Sequence, residues 1–138
     1  MKATVSLINN ISFEGIADSG HKVVIDAAAE HGGENLGSRP MELMLLGMGG
    51  CTAIDVVTIL RKGRQDVSDC RVHLEAERAS EVRKVFTRIH AHYVVSGKDL
   101  TDAAVKRAVE LSAHKYCSAT IMLAKTAEVT HDYEVVGT

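Results

Sequence analysis

Leu43-Met44-Leu45-Leu46-Gly47-Met48-Gly49-Gly50-Cys51-Thr52-Ala53-Ile54 runs twelve residues without a charge, the longest such stretch in the chain. Pro40, the only proline, stands just before it and fits a first helical position, where its missing N–H costs nothing. Glu42 in the first turn suits the positive end of the helix dipole. From Pro40 to about residue 63 the pattern is helical, a rod about 36 Å long at 1.5 Å per residue. Apolar residues surround it on nearly all sides, so this helix is expected to be buried rather than amphipathic. Gly47, Gly49 and Gly50 each cost about 1 kcal/mol against alanine in a helix. Three in four positions point to the close approach of another helix or backbone.

Upstream, residues 30–39 (Glu-His-Gly-Gly-Glu-Asn-Leu-Gly-Ser-Arg) form the one clear loop. The first 27 residues read as strands, because Ala3, Val5 and Leu7 alternate, as do Val23, Ile25 and Ala27. Gly15 and Asp18-Ser19-Gly20 are expected to be turns. Downstream, Val72, Leu74 and Ala76 face away from Arg71, His73, Glu75 and Glu77. Next, Val85, Ile89, Ala91, Tyr93 and Val95 oppose Arg88, His90 and His92. One buried face and one wet face predict an antiparallel sheet. Asp99-Leu100-Thr101-Asp102 predicts a capped helix start, followed by a stripe of Leu100, Ala104, Ala108 and Leu111. A shorter helix over 119–124 and a last strand carrying Val129, Tyr133 and Val135 complete the chain. The order βββ–α–ββ–αα–β predicts an α+β fold with helices on one face of a sheet. Residues 1–138 read as a single domain.

Composition narrows the functions. Hydrophobic residues are 46% and charged ones 25%, which is globular rather than disordered. Aromatics are 4% and tryptophan is absent, so the core must be aliphatic and methionine-based. Sixteen basic against eighteen acidic residues give a formal charge of −2. No Lys/Arg run exceeds two, and no basic patch interleaves with aromatics, so no nucleic-acid partner is expected. The start, Met1 to Leu7, lacks a signal peptide's apolar run, and twelve uncharged residues fall short of the ~20 of a membrane span. Three cysteines at irregular spacing indicate thiol chemistry rather than a disulfide framework. A cytoplasmic protein without a membrane association is the expectation.

Two cysteines carry the chemical interest. Cys51 lies within the long helix, where a free cysteine ordinarily serves as a small hydrophobe. A reactive thiol needs a cation or a helix N-terminus beside it. Arg39 and Glu42 are 12 and 9 residues before Cys51, and nine residues is about 13 Å of helical rise. Either a neighbouring subunit brings them to the thiol or the helix is interrupted. Asp55, one turn beyond Cys51, opposes thiolate formation if it points the same way. Cys117 falls where one helix stops and a shorter one begins, so the dipole of the second should lower its pKa. The alternative is a cysteine packing a helix corner. Cys70 precedes a strand and has no assigned role. No CxxC or HxxxH spacing exists, and His90-x-His92 on an exposed sheet face gives little support for zinc, so no metal is expected. Gly47-x-Gly49-Gly50 lies in an apolar run with no Gly-Lys-Ser/Thr after it, unlike a phosphate loop.

Pro40-Met-Glu42-Leu43, Leu45-Leu46-Gly47-Met-Gly-Gly-Cys51-Thr-Ala-Ile-Asp55-Val and His114-Lys-Tyr116-Cys117-Ser118 together resemble the OsmC/Ohr family, the osmotically inducible and organic hydroperoxide resistance proteins. The resemblance covers essentially the whole chain. It implies an OsmC-like intertwined α+β homodimer with two long central helices packed together and a site at the subunit interface. It also implies that Cys51 attacks a peroxide and Cys117 resolves it. The family places an Arg and a Glu near the thiolate. Its hydroperoxide-resistance members take the Arg from the N-terminal region, whereas this chain has none before Arg39. Their Glu directly follows the Pro, where Met41 stands here and Glu42 comes one later. Arg39 and Glu42 are therefore the candidates. The Gly-Gly-Cys-Thr-Ala-Ile-Asp pattern resembles a less characterised branch.

The expected function is a thiol-dependent peroxidase with no bound cofactor, re-reduced by an external dithiol. Met41, Met44, Leu45, Met48, Ile121 and Met122 would line an apolar entrance favouring organic hydroperoxides. Two rivals share the scaffold: a non-catalytic stress protein with a vestigial cysteine site, and a small-molecule or metal binder.

Overall fold

The computed structural model describes residues 1–137, which group into two units, 1–46 and 47–137. In the first unit β1 (Ala3–Asn9), β2 (Ser12–Ala17) and β3 (Lys22–Ile25) form an antiparallel meander. Gly15, expected to be a turn, is inside β2, paired with Val5 and Val23. Strands on both sides override glycine's weak strand propensity. The chain turns instead at Asn10, whose φ of 52° is a left-handed conformation that asparagine tolerates. The second turn falls at Asp18-Ser19-Gly20 as expected, with Gly20 at φ 82°.

The loop before the long helix is organised by Asp26, a buried carboxylate only 2% exposed. It accepts the backbone N–H groups of Glu34, Leu36 and Ala27 at 3.0, 3.1 and 2.7 Å. Those bonds hold its carboxyl below the usual carboxylate range, the ionised form being the one that accepts them. Gly37 lies so close to the Val24 backbone that no Cβ would fit.

The helix α1 (Pro40–Lys62) starts in the first unit and continues into the second without interruption. Within the single chain it is not buried all round, contrary to expectation. Its buried residues are Met48, Gly49, Thr52, Val56 and Leu60, a stripe at helical spacing. Leu46 and Ile54 are 59% and 69% exposed, because one chain packs against one side of this helix only. A Cβ on Gly49 would come within 2.6 Å of Leu74 Cδ1, so what approaches this glycine is a strand side chain rather than the helix or backbone expected. Gly47 and Gly50 have nothing within 4 Å. By length and composition α1 is also able to cross a membrane, since Asp55 alone interrupts its apolar run. Its stripe is that of a core helix.

The second sheet comprises β4 (Asp66–Arg78), β5 (Phe86–Lys98) and β6 (Glu128–Gly137), in that order. β4 and β5 pair antiparallel, with Val72, Leu74 and Ala76 on the inward face. β5 begins with a buried Phe86 rather than Val85, because the register shifts between Glu77 and Arg78. Cys70 is inside β4, not before it. β6 runs parallel to β5, pairing Ala91 with His131, which corrects the wholly antiparallel sheet expected. The connection explains the direction: α2 (Asp102–Leu111), a π-helical turn (Ser112–Tyr116) and α3 (Ser118–Leu123) carry the chain back to the end where β5 began. Thr101 caps α2, its hydroxyl accepting the Ala104 N–H at 3.3 Å. Val56 and Leu60 of α1, Ala91, Tyr93 and Val95 of β5, and Val105, Ala108 and Val109 of α2 form the core of this unit. Emptying such a position, as in Leu60→Ala, costs about 2–5 kcal/mol.

Candidate functional site

Three side chains of the second unit converge. Cys51 and Asp55 lie one turn apart on α1, and Cys117 stands at the N-terminus of α3. One ligand atom from each, the two sulfurs and a carboxylate oxygen, all lie within 4.8 Å of one another. Cys51 is half-buried, whereas Cys117 is fully buried. The two cysteines singled out from the sequence are thus brought together.

The backbone around Cys117 is unusual. The π-helical turn closes with the Cys117 N–H donating to the Ser112 carbonyl at 2.9 Å, a rare wide ring that is frequent at functional sites. Cys117 then caps α3. Its sulfur accepts the Thr120 hydroxyl at 3.0 Å and the Thr120 N–H at 3.4 Å. The Met48 carbonyl lies 4.0 Å from the same sulfur. Burial pushes the Cys117 thiol above its ordinary value, and the two Thr120 bonds offset this only in part. The lowered pKa expected from the helix dipole is therefore not what the site produces, because desolvation outweighs the donors.

Asp55 places a carboxylate oxygen within 4.8 Å of both sulfurs. Its Oδ2 accepts the Ser112 hydroxyl at 3.0 Å. Ser112 Oγ in turn lies 2.7 Å from Thr52 Oγ1, and Thr52 Oγ1 lies 2.7 Å from Tyr93 Oη. The bond from Ser112 to Asp55 gives the chain one direction. Ser112 gives its single proton to Asp55, so Thr52 must donate to Ser112 and Tyr93 to Thr52. All three hydroxyl residues are buried. None of them was legible as a site residue beforehand. Thr52 adjoins Cys51 and offers a weak signal, whereas Ser112 and Tyr93 reach the site only through the fold.

A cleft of about 710 Å³ opens beside Asp55, lined by Ile54, Ile59, Leu111 and Tyr116 with Lys62 and Arg107. Met48, expected in an apolar entrance, is instead 1% exposed beneath the site. Arg39 and Glu42 are described within the first unit. The Arg39 N–H donates to Glu42 Oε1 at 2.8 Å, so Glu42 caps its own helix. The Arg39 guanidinium donates to Gly37 O at 2.9 Å and Asn35 Oδ1 at 3.1 Å.

Cys51, Asp55 and Cys117 are the one group of three metal-donor side chains among the described residues, and sulfur with carboxylate suits a borderline cation such as zinc. His90 and His92 do not join such a set. Both imidazoles lie on Asp132 Oδ1, at 2.9 and 2.8 Å, and the second nitrogen of His90 meets Thr130 Oγ1 at 2.7 Å. Cys70 is half-buried, its thiol pushed up first by burial and then by the Asp69 carboxylate.

Comparison with known proteins places the chain in a family. Residues 32–132 match the model of the OsmC family, described as OsmC-like protein. The chain is 51% identical over 137 residues to protein YhfA of Escherichia coli (strain K12), covering 99% of each. A hypothetical protein of Aquifex aeolicus has a similar structure, with TM-score 0.87 and 29% identity over 99% of this chain and 96% of that one. The organic hydroperoxide resistance protein OhrB of Bacillus subtilis shares the fold at TM-score 0.62 and 18% identity, covering 97% of this chain and 98% of that one.

Proposed function

The chain belongs to the OsmC-like family, and from that membership we propose that it is a thiol-dependent peroxidase in which Cys51 attacks a hydroperoxide and Cys117 resolves it. The observation that carries this reading is the approach of the two sulfurs to within 4.8 Å. Closing to a disulfide bond of about 2.05 Å requires the two sulfurs to move closer still. Their unequal exposure supports the order of roles. The attacking thiol must be reached by substrate, and Cys51 is the more open; the resolving thiol need reach only its partner, and Cys117 is buried.

The Cys51 thiolate attacks the outer peroxide oxygen, the O–O bond breaks, and the alkoxide takes from solvent the proton released when the thiol ionised and leaves as an alcohol. Cys51 becomes a sulfenic acid. Cys117 displaces its oxygen as water and forms the disulfide, which an external dithiol reduces, so no bound cofactor is needed. The apolar wall of Ile54, Leu111 and Tyr116 favours organic hydroperoxides over hydrogen peroxide. Arg39 is the proposed cation, stabilising thiolate and developing oxyanion, with Glu42 beside it. As α1 is uninterrupted, a partner chain is the route by which we bring them to Cys51.

A homodimer is part of the proposal. Exposed Ile54, open Gly47 and Gly50, and two three-stranded sheets with free edges all leave surface that a second copy would cover. We expect a cytoplasmic protein without a nucleic-acid or membrane partner.

The test is peroxide consumption with a panel of dithiols, cumene and hydrogen peroxides in parallel. Turnover faster with cumene hydroperoxide supports the reading; no turnover with any dithiol leaves a stress or small-molecule-binding protein with a vestigial site. The donor set at Cys51, Asp55 and Cys117 favours one second reading, a metal binder. Native mass spectrometry separates it, since a peroxidase should carry no stoichiometric zinc.

A further inference from the structure

We propose that Asp55 is the general base of the resolving step, taking the proton of Cys117 as its sulfur attacks Cys51, with Ser112, Thr52 and Tyr93 as positioning residues. The proposal rests on the two-cysteine reading above. Its starting point is a conflict within the site. The first step puts negative charge on Cys51 with a carboxylate oxygen within 4.8 Å of it. Yet four residues are arranged to keep that carboxylate there: Asp55 itself and a directed chain of three buried hydroxyls ending on its Oδ2.

The second step gives the carboxylate a use. After the first step Cys51 is an uncharged sulfenic acid, and Asp55 no longer repels anything at that position. Cys117 is then the group that must lose a proton. Burial keeps its thiol protonated at neutral pH. Cys51 and Asp55 of α1 lie nearest its sulfur, with Tyr93 of β5 farther away, while Lys62 of α1, Arg107 of α2 and Tyr116 of the π-helical turn line the cleft beside Asp55 and are no bases near neutral pH. Tyr93 is itself protonated, its phenol pushed up by burial, so Asp55 is the acceptor that remains. A carboxylate oxygen within 4.8 Å of the sulfur needs a small rotation, or one water, to receive the proton.

The step balances. The Cys117 S–H proton passes to the Asp55 carboxylate while its electron pair forms the S–S bond. The S–O bond of the sulfenic acid breaks, and the departing hydroxide takes the proton back from Asp55 and leaves as water. The hydroxyl chain fixes the carboxylate by polarising each O–H toward it, and the links strengthen one another.

The test avoids peroxide, so that its failure and that of the peroxidase reading are distinguishable. In the full chain carrying Cys70→Ser, which leaves the two site thiols, one equivalent of dithiodipyridine reacts first at the more open Cys51. That releases one thiopyridone, and attack by Cys117 on the mixed disulfide releases a second. The second phase reads resolution alone, and Cys117→Ser sets its zero. With Asp55 present, its rate should be nearly flat from about pH 6 to about pH 9. In Asp55→Asn it should fall about a hundredfold near neutrality and then climb about tenfold per pH unit, as Cys117 must ionise unaided. Asp55→Glu should restore the flat profile in part. Ser112→Ala should slow the phase less and keep it flat, because the base is loosened rather than removed. A second phase in Asp55→Asn that is unchanged, or slowed equally at every pH while Asp55→Glu is slowed alike, overturns the proposal. A chain inert toward peroxides would sink the peroxidase reading and leave this result standing.

Discussion

Thr120 bonds Cys117 twice, its hydroxyl donating to the sulfur at 3.0 Å and its backbone N–H at 3.4 Å. These donors favour the thiolate, while burial works against it and prevails. Thr120→Val keeps the shape and the backbone bond but removes the hydroxyl. A hydrogen bond of about 1 kcal/mol then predicts resolution about fivefold slower near neutral pH, with the thiol pushed higher still. Stopped-flow measurement of disulfide formation checks this, and an unchanged rate would make Thr120 a helix cap only.

The surface of α1 predicts the oligomeric state. Ile54 is 69% exposed and lies one turn from Gly50, which has open space around it. The protein should run as a homodimer whose interface exceeds the standard ~1,600 Å². Ile54→Arg should push it toward monomer or aggregate. Light scattering after size exclusion reads both, and a natively folded wild-type monomer at micromolar concentration would contradict the expectation.

Arg39→Ala should slow the reaction of Cys51 with peroxide by about 100- to 1,000-fold, the scale of losing one donor at a developing oxyanion. Arg39→Lys should recover part of the rate, because charge returns without the planar fork. Single-turnover peroxide kinetics give the answer. An unchanged rate in Arg39→Ala would move the role to another cation, with Lys115 or Arg61 the next to test.

The exposed face of the second sheet predicts a pH dependence of stability. Asp132 raises the His92 pKa above its ordinary 6.5, and His92 lowers that of Asp132 below 3.8. The His92 contribution is complete below 6.5 and fades as pH rises through its folded value. The Asp132 contribution is present above 3.8 and fades as pH falls through its folded value. The stability difference between wild type and Asp132→Asn should therefore be largest between those two ordinary values and shrink in alkaline solution. Denaturant midpoints across pH measure it. A difference that grows above about pH 8 would reverse the sign.

Much of this fold was legible because two periods dominate it. The alternation of Val72, Leu74 and Ala76 located β4, and the apolar run after Pro40 located α1. Direction and partners were not legible. Alternation in β6 is the same whether it pairs parallel or antiparallel, so only the crossover through α2 and α3 fixed its sense. The glycines of α1 marked close packing without saying against what: Gly49 meets Leu74, whereas Gly47 and Gly50 face open space. In the site, the two cysteine motifs were readable as motifs. Ser112 and Tyr93 were not, because their contacts with Asp55 and Thr52 arise across 57 and 41 positions of sequence. Desolvation of Cys117 was also hidden, since a helix N-terminus announces itself in sequence and a buried one does not.

The most direct test is intact mass spectrometry after a stoichiometric pulse of organic hydroperoxide on wild type and the three Cys→Ser variants. A Cys51–Cys117 disulfide should form in wild type and in Cys70→Ser, and in neither of the others. Cys51→Ser should consume no peroxide, since a serine hydroxyl is not ionised near neutral pH. Cys117→Ser should stall at the sulfenic acid and, with excess peroxide, gain further oxygens stepwise toward the sulfinic and sulfonic acids. Wild type that forms no such disulfide, or Cys117 over-oxidising while Cys51 stays reduced, would contradict the account.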